Sequence, residues 1–369
     1  MEQIYVTGHR NPDTDSVVSA MAYAALRNAV GDRQYVAARL GHISDETRLI
    51  LNHFGFEPPI FIKNMRTQVL DLDFDVPPIL HEAVTVGRAW AALEEDRQIS
   101  AIPVTDDEGH LKGMMSAGDI AGYDMRTIED PTLRKVPLFN ILSVLEGQLL
   151  SEGVDMVNTI SGEVILALPQ GTELPPFRRK DTILICGHQP DMLKAALEYG
   201  VTCVILCQAE LPEELRASAG DTCIISTPFD SYRAVRRIFH AIPIKRVARK
   251  TELQAFHLED YIDDVREEVL QSRYRSYPIL DSQEKVVGTL SRYHLIKPRR
   301  KKVVLVDHNE ASQSVPGLEQ TDVLEIIDHH RLADIQTKNP IYFRNEPVGS
   351  TTTIVAGMYQ ERGLMPSGK

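Results

Sequence analysis

The sequence predicts an α/β protein whose parallel sheet is interrupted by a long insertion. Short apolar runs at 4–6, 303–306 and 323–327 have the composition of buried parallel strands. Each run is followed at once by acidic and imidazole side chains. Because the carboxyl ends of parallel strands meet at one edge of a sheet, where open α/β folds bind ligands, these side chains are expected to converge.

The first 73 residues alternate between strand and helix patterns. Pro12 keeps the loop after the first strand extended at Asn11, and Ser16 or Asp15 is expected to cap the following helix. This βαβα order is typical of a parallel sheet. The predicted strands are 4–6, 35–38 and 59–62, and the predicted helices are 17–30 and 44–54.

Two later segments, 84–119 and 258–295, share one pattern. In each, an amphipathic helix precedes a proline-containing strand, a polar turn and a glycine-containing strand, and a serine then opens a short helix. Repeats of this kind usually exist because neither unit buries its apolar face alone, so we expect the two to pair. Between them, a βαβ pattern at 182–206, with a strand at 222–226 and a helix at 232–241, predicts a third small α/β domain.

The split motifs contain the residues of a two-metal site. A histidine and two carboxylates in one loop (His9, Asp13 and Asp15) do not easily bind a single small ion, but they suit two neighbouring ions. Asp307 from another strand would bridge the two ions, and His329 would complete the second. Mixed imidazole and carboxylate ligands favour Mn²⁺ or a similar first-row ion over Mg²⁺.

Such a pair of ions suits phosphoryl chemistry, since it can activate water and hold the attacking and leaving oxygens in line. The helix that begins after Asp15 adds partial positive charge for a phosphate. An Asp-His-His run alone is more often a cap with a core imidazole, and NPDTDS alone could be an Asx turn. Three such motifs at the ends of predicted strands favour the metal site.

These residues resemble a known family. GHRNPDTDS, VDHNE and DHH, followed by EPVGSTTT, are similar to the motifs of the manganese-dependent family II inorganic pyrophosphatases of the DHH phosphoesterase superfamily. The two repeats resemble CBS domains, and the region between them resembles a DRTGG domain. The implied organisation is a first part of the DHH domain (1–73), CBS 1 (74–128), a DRTGG-like domain (129–244), CBS 2 (245–298) and a second, incomplete part of the DHH domain (299–369).

The resemblance implies that two Mn²⁺ or Co²⁺ ions share Asp307 and that additional Mg²⁺ arrives with pyrophosphate. It also implies that His330 contacts a substrate phosphate and that His308 supports the site. The family has a further aspartate ligand and a C-terminal domain beyond the position of Lys369, so we expect an incomplete form of the enzyme. The implied ligands are His9, Asp13 and Asp307 for one ion, and Asp15, Asp307 and His329 for the other.

The resemblance further implies that adenine nucleotides bind between the paired repeats, AMP and ADP as inhibitors and ATP as an activator. Ser116 and Asp119 keep the pattern that grips a ribose, whereas the second repeat has Ser291 and His294. In the DRTGG-like domain, His188-Gln189 replaces the usual acidic-basic pair, which leaves a nucleotide contact there in doubt. The candidate nucleotide-binding residues are Ser100, Ile102, Pro103, Ser116, Asp119, Arg275, Ser276, Tyr277, Pro278, Ser291 and Arg292.

Composition excludes some classes of function. A net charge of −12 argues against sequence-independent nucleic-acid binding, and the basic run at 297–302 reads as a linker. The four cysteines form no CxxC pair, and neither a leader peptide nor an apolar stretch of roughly 18 residues is evident. We therefore expect a cytoplasmic protein without a membrane partner. The apolar helical face of the paired repeats, with Ala89, Trp90 and Leu93, further predicts a homodimer that forms largely through the insertion.

Two alternatives stay open from sequence alone. One is another DHH phosphoesterase, acting on oligonucleotides or cyclic dinucleotides, although 6% aromatic residues offer little for base stacking. The other is a nucleotide-sensing fragment without full catalytic capacity. The preferred hypothesis is hydrolysis of inorganic pyrophosphate under the control of adenine nucleotides.

Overall fold

The structure, a computed structural model, describes residues 3–31, 34–96, 99–152, 154–167, 181–216, 218–296 and 299–364. The chain divides into two compact units. Unit 1 contains Met1–Asp73, Leu258–Arg273 and Arg292–Lys369, and unit 2 contains Phe74–His257 and Tyr274–Ser291.

The described residues form ten α-helices and eighteen strands. The helices are α1 (Thr14–Val30), α2 (Asp45–Phe54), α3 (Val86–Glu95), α4 (Ala117–Glu129), α5 (Leu138–Leu145), α6 (Pro190–Tyr199), α7 (Glu213–Arg216), α8 (Ser231–Ile238), α9 (Ile262–Gln271) and α10 (Thr351–Glu361). The strands are β1 (Gln3–Thr7), β2 (Gln34–Arg39), β3 (Ile60–Phe61), β4 (Leu80–His81), β5 (Ala101–Thr105), β6 (Leu111–Ser116), β7 (Thr132–Pro137), β8 (Gln148–Leu149), β9 (Thr159–Leu166), β10 (Thr182–Cys186), β11 (Cys203–Cys207), β12 (Cys223–Thr227), β13 (Phe256–His257), β14 (Ser276–Leu280), β15 (Val286–Ser291), β16 (Lys302–Val306), β17 (Asp322–Asp328) and β18 (Tyr342–Asn345).

Unit 1 is built on one parallel sheet of six strands in the order β18-β17-β16-β1-β2-β3. The chain extends the sheet in one direction from β1 to β3 and in the other direction from β16 to β18. The order therefore reverses between β1 and β16, which pair directly. In open α/β sheets this reversal point opens the crevice where ligands bind.

Helix α1 packs its apolar residues against this sheet. It also contributes Tyr23 and Arg27 to a buried polar cluster with Glu325. Tyr23 is fully buried, and its hydroxyl donates to Glu325 on β17. Arg27 Nη2 lies 2.9 Å from the other oxygen of Glu325, so the buried carboxylate is paired. Helix α10 packs beside α1, and the hydroxyl of Tyr359 donates to the carbonyl of Ala22 at 3.0 Å. These contacts hold the second part of the sheet to the first helix.

The segment in which the chain first leaves unit 1, before Phe74, lies beside the segment that leads into β16. Lys301 Nζ lies 2.9 Å from the carboxylate of Asp71 and donates to the carbonyl of Arg66 at 2.9 Å. Arg299 pairs with Asp73 at 2.9 Å. The insertion therefore begins and ends at neighbouring points of unit 1, which explains how the sheet stays intact.

Unit 2 contains two three-stranded sheets with the same topology, β4-β5-β6 and β13-β14-β15. In each, the first two strands are parallel and the last two antiparallel, with a register shift near the hairpin turn. The amide of Val286 donates to the carbonyl of Gly109 at 3.1 Å, so the two hairpins touch. This equivalence confirms the internal repeat seen in the sequence.

A mixed sheet of six strands, β7-β9-β10-β11-β12-β8, forms the rest of unit 2. Strands β9 to β12 are parallel, and β7 and β8 close the edges as antiparallel strands. The four cysteines are free and buried in strands β10, β11 and β12. Among the described helices, none combines the length and hydropathy required to cross a bilayer.

The structure corrects some local predictions. Helix α1 begins at Thr14, and its cap is Asp13 rather than Ser16 or Asp15, because the carboxylate of Asp13 accepts from the amide of Ser16 at 2.9 Å. The strand predicted at 59–62 pairs over two residues only. The short helix expected after Ser116 runs for 13 residues as α4.

Candidate metal centre

The loop after β1 turns tightly because its side chains bond back to its own backbone. Asp13 caps α1, and the hydroxyl of Ser16 accepts from the amide of His9 at 3.0 Å. Gly8 lies so close that an added Cβ would meet Ser16 Oγ at 1.9 Å and the Ser16 carbonyl oxygen at 2.7 Å. Glycine is therefore required at this position, and the turn directs His9 towards the neighbouring strand β16.

Asp307 follows β16 and lies at the centre of the site. Its side chain is buried, and its φ of 61° lies in the left-handed region that non-glycine residues rarely adopt. Its amide donates to the carbonyl of Ile327 at 2.9 Å, which continues the pairing of β16 with β17. The carboxylate faces two histidines: Oδ2 lies 3.4 Å from His9 Nε2, and Oδ1 lies 3.4 Å from His329 Nε2.

Two groups of donor atoms share this carboxylate. His9, Asp13 and Asp307 form the first, and Asp307, His329 and His330 form the second, with the donor atoms of each group within 4.8 Å of one another. Asp15 joins the second side, where its Oδ2 lies 3.9 Å from His329 Nε2. The structure thus brings together the residues for which the sequence predicts metal binding.

Backbone carbonyls orient two of the histidines. His329 Nδ1 lies 3.0 Å from the carbonyl oxygen of Val348, which can only accept, so Nδ1 donates and Nε2 is the nitrogen that faces Asp307 and Asp15. His308 is held in the same way, since its Nδ1 lies 3.0 Å from the carbonyl of Val306. Its Nε2 is buried and has no hydrogen-bond partner within the part of the chain that the structure describes.

Asp328 and Asn309 join the two later motifs. Asp328 is fully buried and lies 2.8 Å from His330 Nδ1, while its oxygens also accept from the amide of His329 and from Asn309 Nδ2. Asn309 Oδ1 accepts from the amide of Ala333 at 2.6 Å. Neither residue is among the predicted site residues, and both occur within the quoted motifs. They orient the histidines.

Helix α10 begins at the site and holds both central carboxylates. The amides of Thr351 and Thr352 donate to Asp15 Oδ2 and Oδ1 at 2.7 and 2.9 Å, and the hydroxyl of Thr352 also donates to Oδ1. The hydroxyl of Thr351 donates to Asp307 Oδ1 at 3.0 Å. Sequence reasoning missed these roles, although Ser350 before a run of threonines is a pattern that starts a helix.

The pKa values of the neighbouring carboxylates Asp15 and Asp307 shift in opposite directions. Burial acts to raise the pKa of Asp15, but the hydrogen bonds from Thr352 and Thr351 outweigh it and lower that pKa. Burial raises the pKa of Asp307, against the opposing hydrogen bond from His9. The hydrogen bond to Asp307 raises the pKa of His9. Burial lowers the pKa of His308 to about 4, which keeps this ring neutral at pH 7.

The donor set fits two first-row divalent ions. Imidazole nitrogen and carboxylate oxygen together suit Mn²⁺ or Co²⁺. Each oxygen of Asp307 faces a different histidine, so one carboxylate can serve both ions. A third acidic group at Asp106, Glu108 and His110 differs, because Lys112 Nζ lies 2.9 Å from Asp106 and neutralises it. That third group is an ordinary surface ion-pair cluster.

The candidate nucleotide-binding residues fall mainly in unit 2. Ile102 and Tyr277 are fully buried on β5 and β14, where Pro103 and Pro278 follow them. Ser116 and Asp119 form a capping box at the start of α4, with Ser116 Oγ 2.6 Å from Asp119 Oδ2. The remaining candidates in unit 2 are Ser100 before β5, the exposed Arg275, Ser276 at the start of β14 and Ser291 at the end of β15.

Arg292 belongs to unit 1, whereas the other nucleotide-binding candidates belong to unit 2. Its guanidinium donates to the carbonyls of Ser272 and Val269 at 2.5 and 3.3 Å, at the end of α9. Two residues of the basic run, Lys297 and Pro298, lie outside the described residues.

Comparison with known proteins agrees with this geometry. The model of the N-terminal domain of the DHH family matches residues 3–368. The cobalt-dependent inorganic pyrophosphatase of Clostridium perfringens is 40% identical over 99% of this chain and 67% of its own length. A probable manganese-dependent inorganic pyrophosphatase of Thermotoga maritima is 33% identical over the same shares of the two chains.

One similar solved structure comes from the regulatory region of a pyrophosphatase. The crystal structure of the CBS and DRTGG domains from the regulatory region of the C. perfringens pyrophosphatase, complexed with the activator diadenosine tetraphosphate, is 27% identical to this chain. It aligns with a TM-score of 0.51 over 61% of this chain and 99% of that structure.

Proposed function

The chain belongs to the DHH family and, within it, to the metal-dependent inorganic pyrophosphatases, and from this membership we propose that it hydrolyses inorganic pyrophosphate to two phosphates. The observation that carries the proposal is the buried carboxylate of Asp307, which faces His9 through one oxygen and His329 through the other. A carboxylate shared in this way can hold two neighbouring metal ions of the kind that catalyse phosphoryl transfer.

The proposed ligands divide into two sets. His9, Asp13 and Asp307 bind one Mn²⁺ or Co²⁺ ion, and Asp15, Asp307 and His329 bind the other. The assignment is supported by the distances of 3.4 to 3.9 Å between the facing donor atoms. When bound, such ions lower the pKa of water and neutralise charge on phosphate oxygens.

The protein's own residues bind and orient the substrate. The side chain of His330 is 46% exposed, and its Nδ1 is held by Asp328, so its Nε2 is available for a pyrophosphate oxygen. The start of α1 adds partial positive charge beside the site. His308 stays neutral and supports the packing around Asp307, and a further Mg²⁺ is carried in by the substrate.

The test of this proposal is phosphate release from pyrophosphate by the full chain with Mn²⁺, Co²⁺ or Mg²⁺ alone. We expect Asp307→Asn to lower activity by at least about 100-fold and to lose metal at both positions. Asp334→Asn, which alters an exposed aspartate outside the site, is the matched control. Wild-type protein that binds one ion at saturation, or that cleaves oligonucleotides or cyclic dinucleotides instead of pyrophosphate, would contradict the proposal.

We further propose that adenine nucleotides regulate the enzyme by binding to the repeats in unit 2. The buried Ile102 and Tyr277 support an apolar slot for a purine, and the exposed Arg275 supports a contact with phosphate oxygens. The C. perfringens regulatory region binds diadenosine tetraphosphate, an adenine nucleotide. AMP, ADP and ATP are the proposed ligands.

Calorimetry of the full chain with AMP checks this regulatory site. Arg275→Ala should weaken AMP binding by roughly tenfold or more, because one charge-assisted phosphate contact contributes about 1.5–3 kcal/mol. Arg273→Ala, which removes another exposed arginine, should leave AMP binding unchanged. Arg292→Ala is a poorer probe, since Arg292 also holds the end of α9. Equal affinity in the Arg275 and Arg273 variants would exclude the assigned contact.

The proposed assembly is a cytoplasmic homodimer that forms through the insertion. Four buried, free cysteines support a reducing compartment. Exposed apolar side chains in unit 2, including Trp90, Met125, Ile128 and Phe139, support an interface there. Sedimentation at micromolar concentration should give the mass of a dimer, and a monomer would contradict it.

A further inference from the structure

The start of α10 holds Asp15 in a way that limits how this carboxylate can bind a metal ion. We propose that the hydroxyl of Thr352 restricts Asp15 to a single ligand oxygen and thereby favours first-row ions over larger cations such as Ca²⁺. The inference deepens the proposed function, because it takes Asp15 to be a metal ligand. Thr352 acts through Asp15 and is a positioning residue.

Hydrogen bonds from α10 occupy most of the lone pairs of the Asp15 carboxylate. A carboxylate oxygen has about two lone-pair sites. Oδ1 accepts from both the amide of Thr352, at 2.9 Å, and the hydroxyl of Thr352, so both of its sites are used. Oδ2 accepts from the amide of Thr351 at 2.7 Å and lies 3.9 Å from His329 Nε2. One lone pair of Oδ2 therefore remains, on the side of the metal ligands.

This restriction matters because cations differ in how they use carboxylates. Ca²⁺ takes about 6–8 oxygen ligands and often binds both oxygens of one carboxylate. Mn²⁺ and Co²⁺ accept smaller mixed sets of nitrogen and oxygen. A carboxylate with one free oxygen removes the bidentate arrangement, which costs the larger ion more than the smaller one.

Only the hydroxyl of Thr352 can be changed by mutation, since its amide is part of the backbone. Thr352→Val keeps the shape and the amide bond but frees one lone pair of Oδ1. Thr352→Ser keeps the hydroxyl. Thr353→Val is the matched control, because Thr353 is exposed in the same helical turn and its hydroxyl lies 2.9 Å from Ser350 Oγ rather than near Asp15.

The experiment measures metal binding by the metal-free full chain, without substrate. Mn²⁺ is titrated by calorimetry and by electron paramagnetic resonance, with and without competing Ca²⁺. We expect Thr352→Val to weaken one of the two Mn²⁺ ions by about 10–100-fold, as loss of a supporting hydrogen bond to a ligand does, and to reduce the preference for Mn²⁺ over Ca²⁺. Thr352→Ser and Thr353→Val should resemble the wild type.

The outcomes separate this inference from the proposed function. If Thr352→Val keeps the wild-type Mn²⁺ affinity and the wild-type preference for Mn²⁺ over Ca²⁺, the inference about Thr352 is wrong. The proposal that the chain hydrolyses pyrophosphate is not contradicted by that result. If the wild type binds no Mn²⁺, both fail. Thermal melting of the metal-free variants shows whether the fold is kept, and Thr352→Ala replaces Thr352→Val if valine disturbs the start of the helix. A general loss of packing would lower affinity for Mn²⁺ and Ca²⁺ equally, which would also overturn the inference.

Discussion

At the scale of single residues, Asp307 combines a strained backbone with a buried charge. Its left-handed φ of 61° costs of order 1–3 kcal/mol, and the pairing of its amide with Ile327 maintains it. Burial next to Asp15 raises the pKa of Asp307. Such strain is stored where function requires it, and here it turns the carboxylate out of the strand and between His9 and His329.

His308 makes the stability of the metal-free protein depend on pH. Burial lowers the pKa of its ring to about 4, against about 6.5 in an unfolded chain. Between these values the unfolded state binds more protons, so stability rises with pH up to about 6.5 and is lost below it. At pH 5 the loss from this group is about 2 kcal/mol.

Urea unfolding in the presence of a chelator measures this effect. The fall in the free energy of unfolding between pH 7 and pH 5 should be smaller in His308→Gln than in the wild type. His9, whose pKa is raised, contributes with the opposite sign in both proteins and cancels in the comparison. Identical pH responses of the two proteins would show that His308 is not buried as a neutral ring.

The ligand candidates could be predicted from the sequence because they follow recognisable strands. The residues that support them could not. Thr351 and Thr352 contact Asp15 only because α10 packs beside α1. Local sequence patterns do not predict which distant helix packs against α1. Asp328 belongs to the Asp-His-His motif, but its role depends on burial that the sequence does not display.

At the scale of elements, the apolar runs predicted β1, β16 and β17 within one or two residues. Strand β18 escaped prediction because Tyr342–Asn345 is a short edge strand with partly exposed side chains, so it carries no buried-strand pattern. Strand β9 escaped because its side chains alternate between buried and exposed positions and include Gly162, so it carries no continuous apolar run. Continuous apolar runs are therefore visible in the sequence as strands, whereas strands with mixed exposure are not.

The junction of β1 with α1 tolerates little change. Gly8→Ala would place a Cβ 2.7 Å from the backbone carbonyl oxygen of Ser16, which cannot rotate away as a side chain can. We expect a loss of about 1–3 kcal/mol of stability, by overpacking, together with weaker metal binding at His9 and Asp13. Chemical denaturation measures the first effect and calorimetry the second.

Gly349→Ala is the control for this substitution. An added Cβ there meets no atom within 4 Å, although Gly349 also lies close to the site in the chain. Its stability should stay within about 0.5 kcal/mol of the wild type. If both glycine variants behave alike, close packing at Gly8 is not what sets the geometry of the loop.

At the scale of the whole molecule, the repeat pattern in the sequence does not predict which elements contact the second repeat. Leu258–Arg273, which contains α9, groups with unit 1. The amide of Ile262 donates to the carbonyl of Thr67 at 3.0 Å, and Arg66 lies 3.2 Å from Asp264. The sequence identifies a repeated unit by its pattern, whereas the partners of its helix depend on the tertiary structure.

Because the two ends of the insertion lie close together, we expect that the insertion can be removed. Replacing 74–298 by a short Gly-Ser linker should leave the six-stranded sheet and the binding of Mn²⁺ intact, because Asp73 and Arg299 already form an ion pair. Nucleotide effects should disappear. Circular dichroism and Mn²⁺ titration check the result, with Asp307→Asn in the shortened protein as a negative control. Loss of Mn²⁺ binding in the shortened protein would mean that the insertion contributes to the sheet itself.

The pairing of β1 with β16 has a consequence for synthesis on the ribosome. At roughly 5–20 residues per second, about 15–60 s separate the emergence of His9 from that of Asp307. During that interval β1 lacks its central neighbour, and its exposed edge is a site for mispairing. The insertion is fully synthesised by then, and we expect its neighbouring ends to shorten the remaining search. The proposed metal centre would therefore be assembled late, because a nascent chain that has not reached Asp307 carries the proposed ligands His9, Asp13 and Asp15 without the carboxylate that joins the two sets.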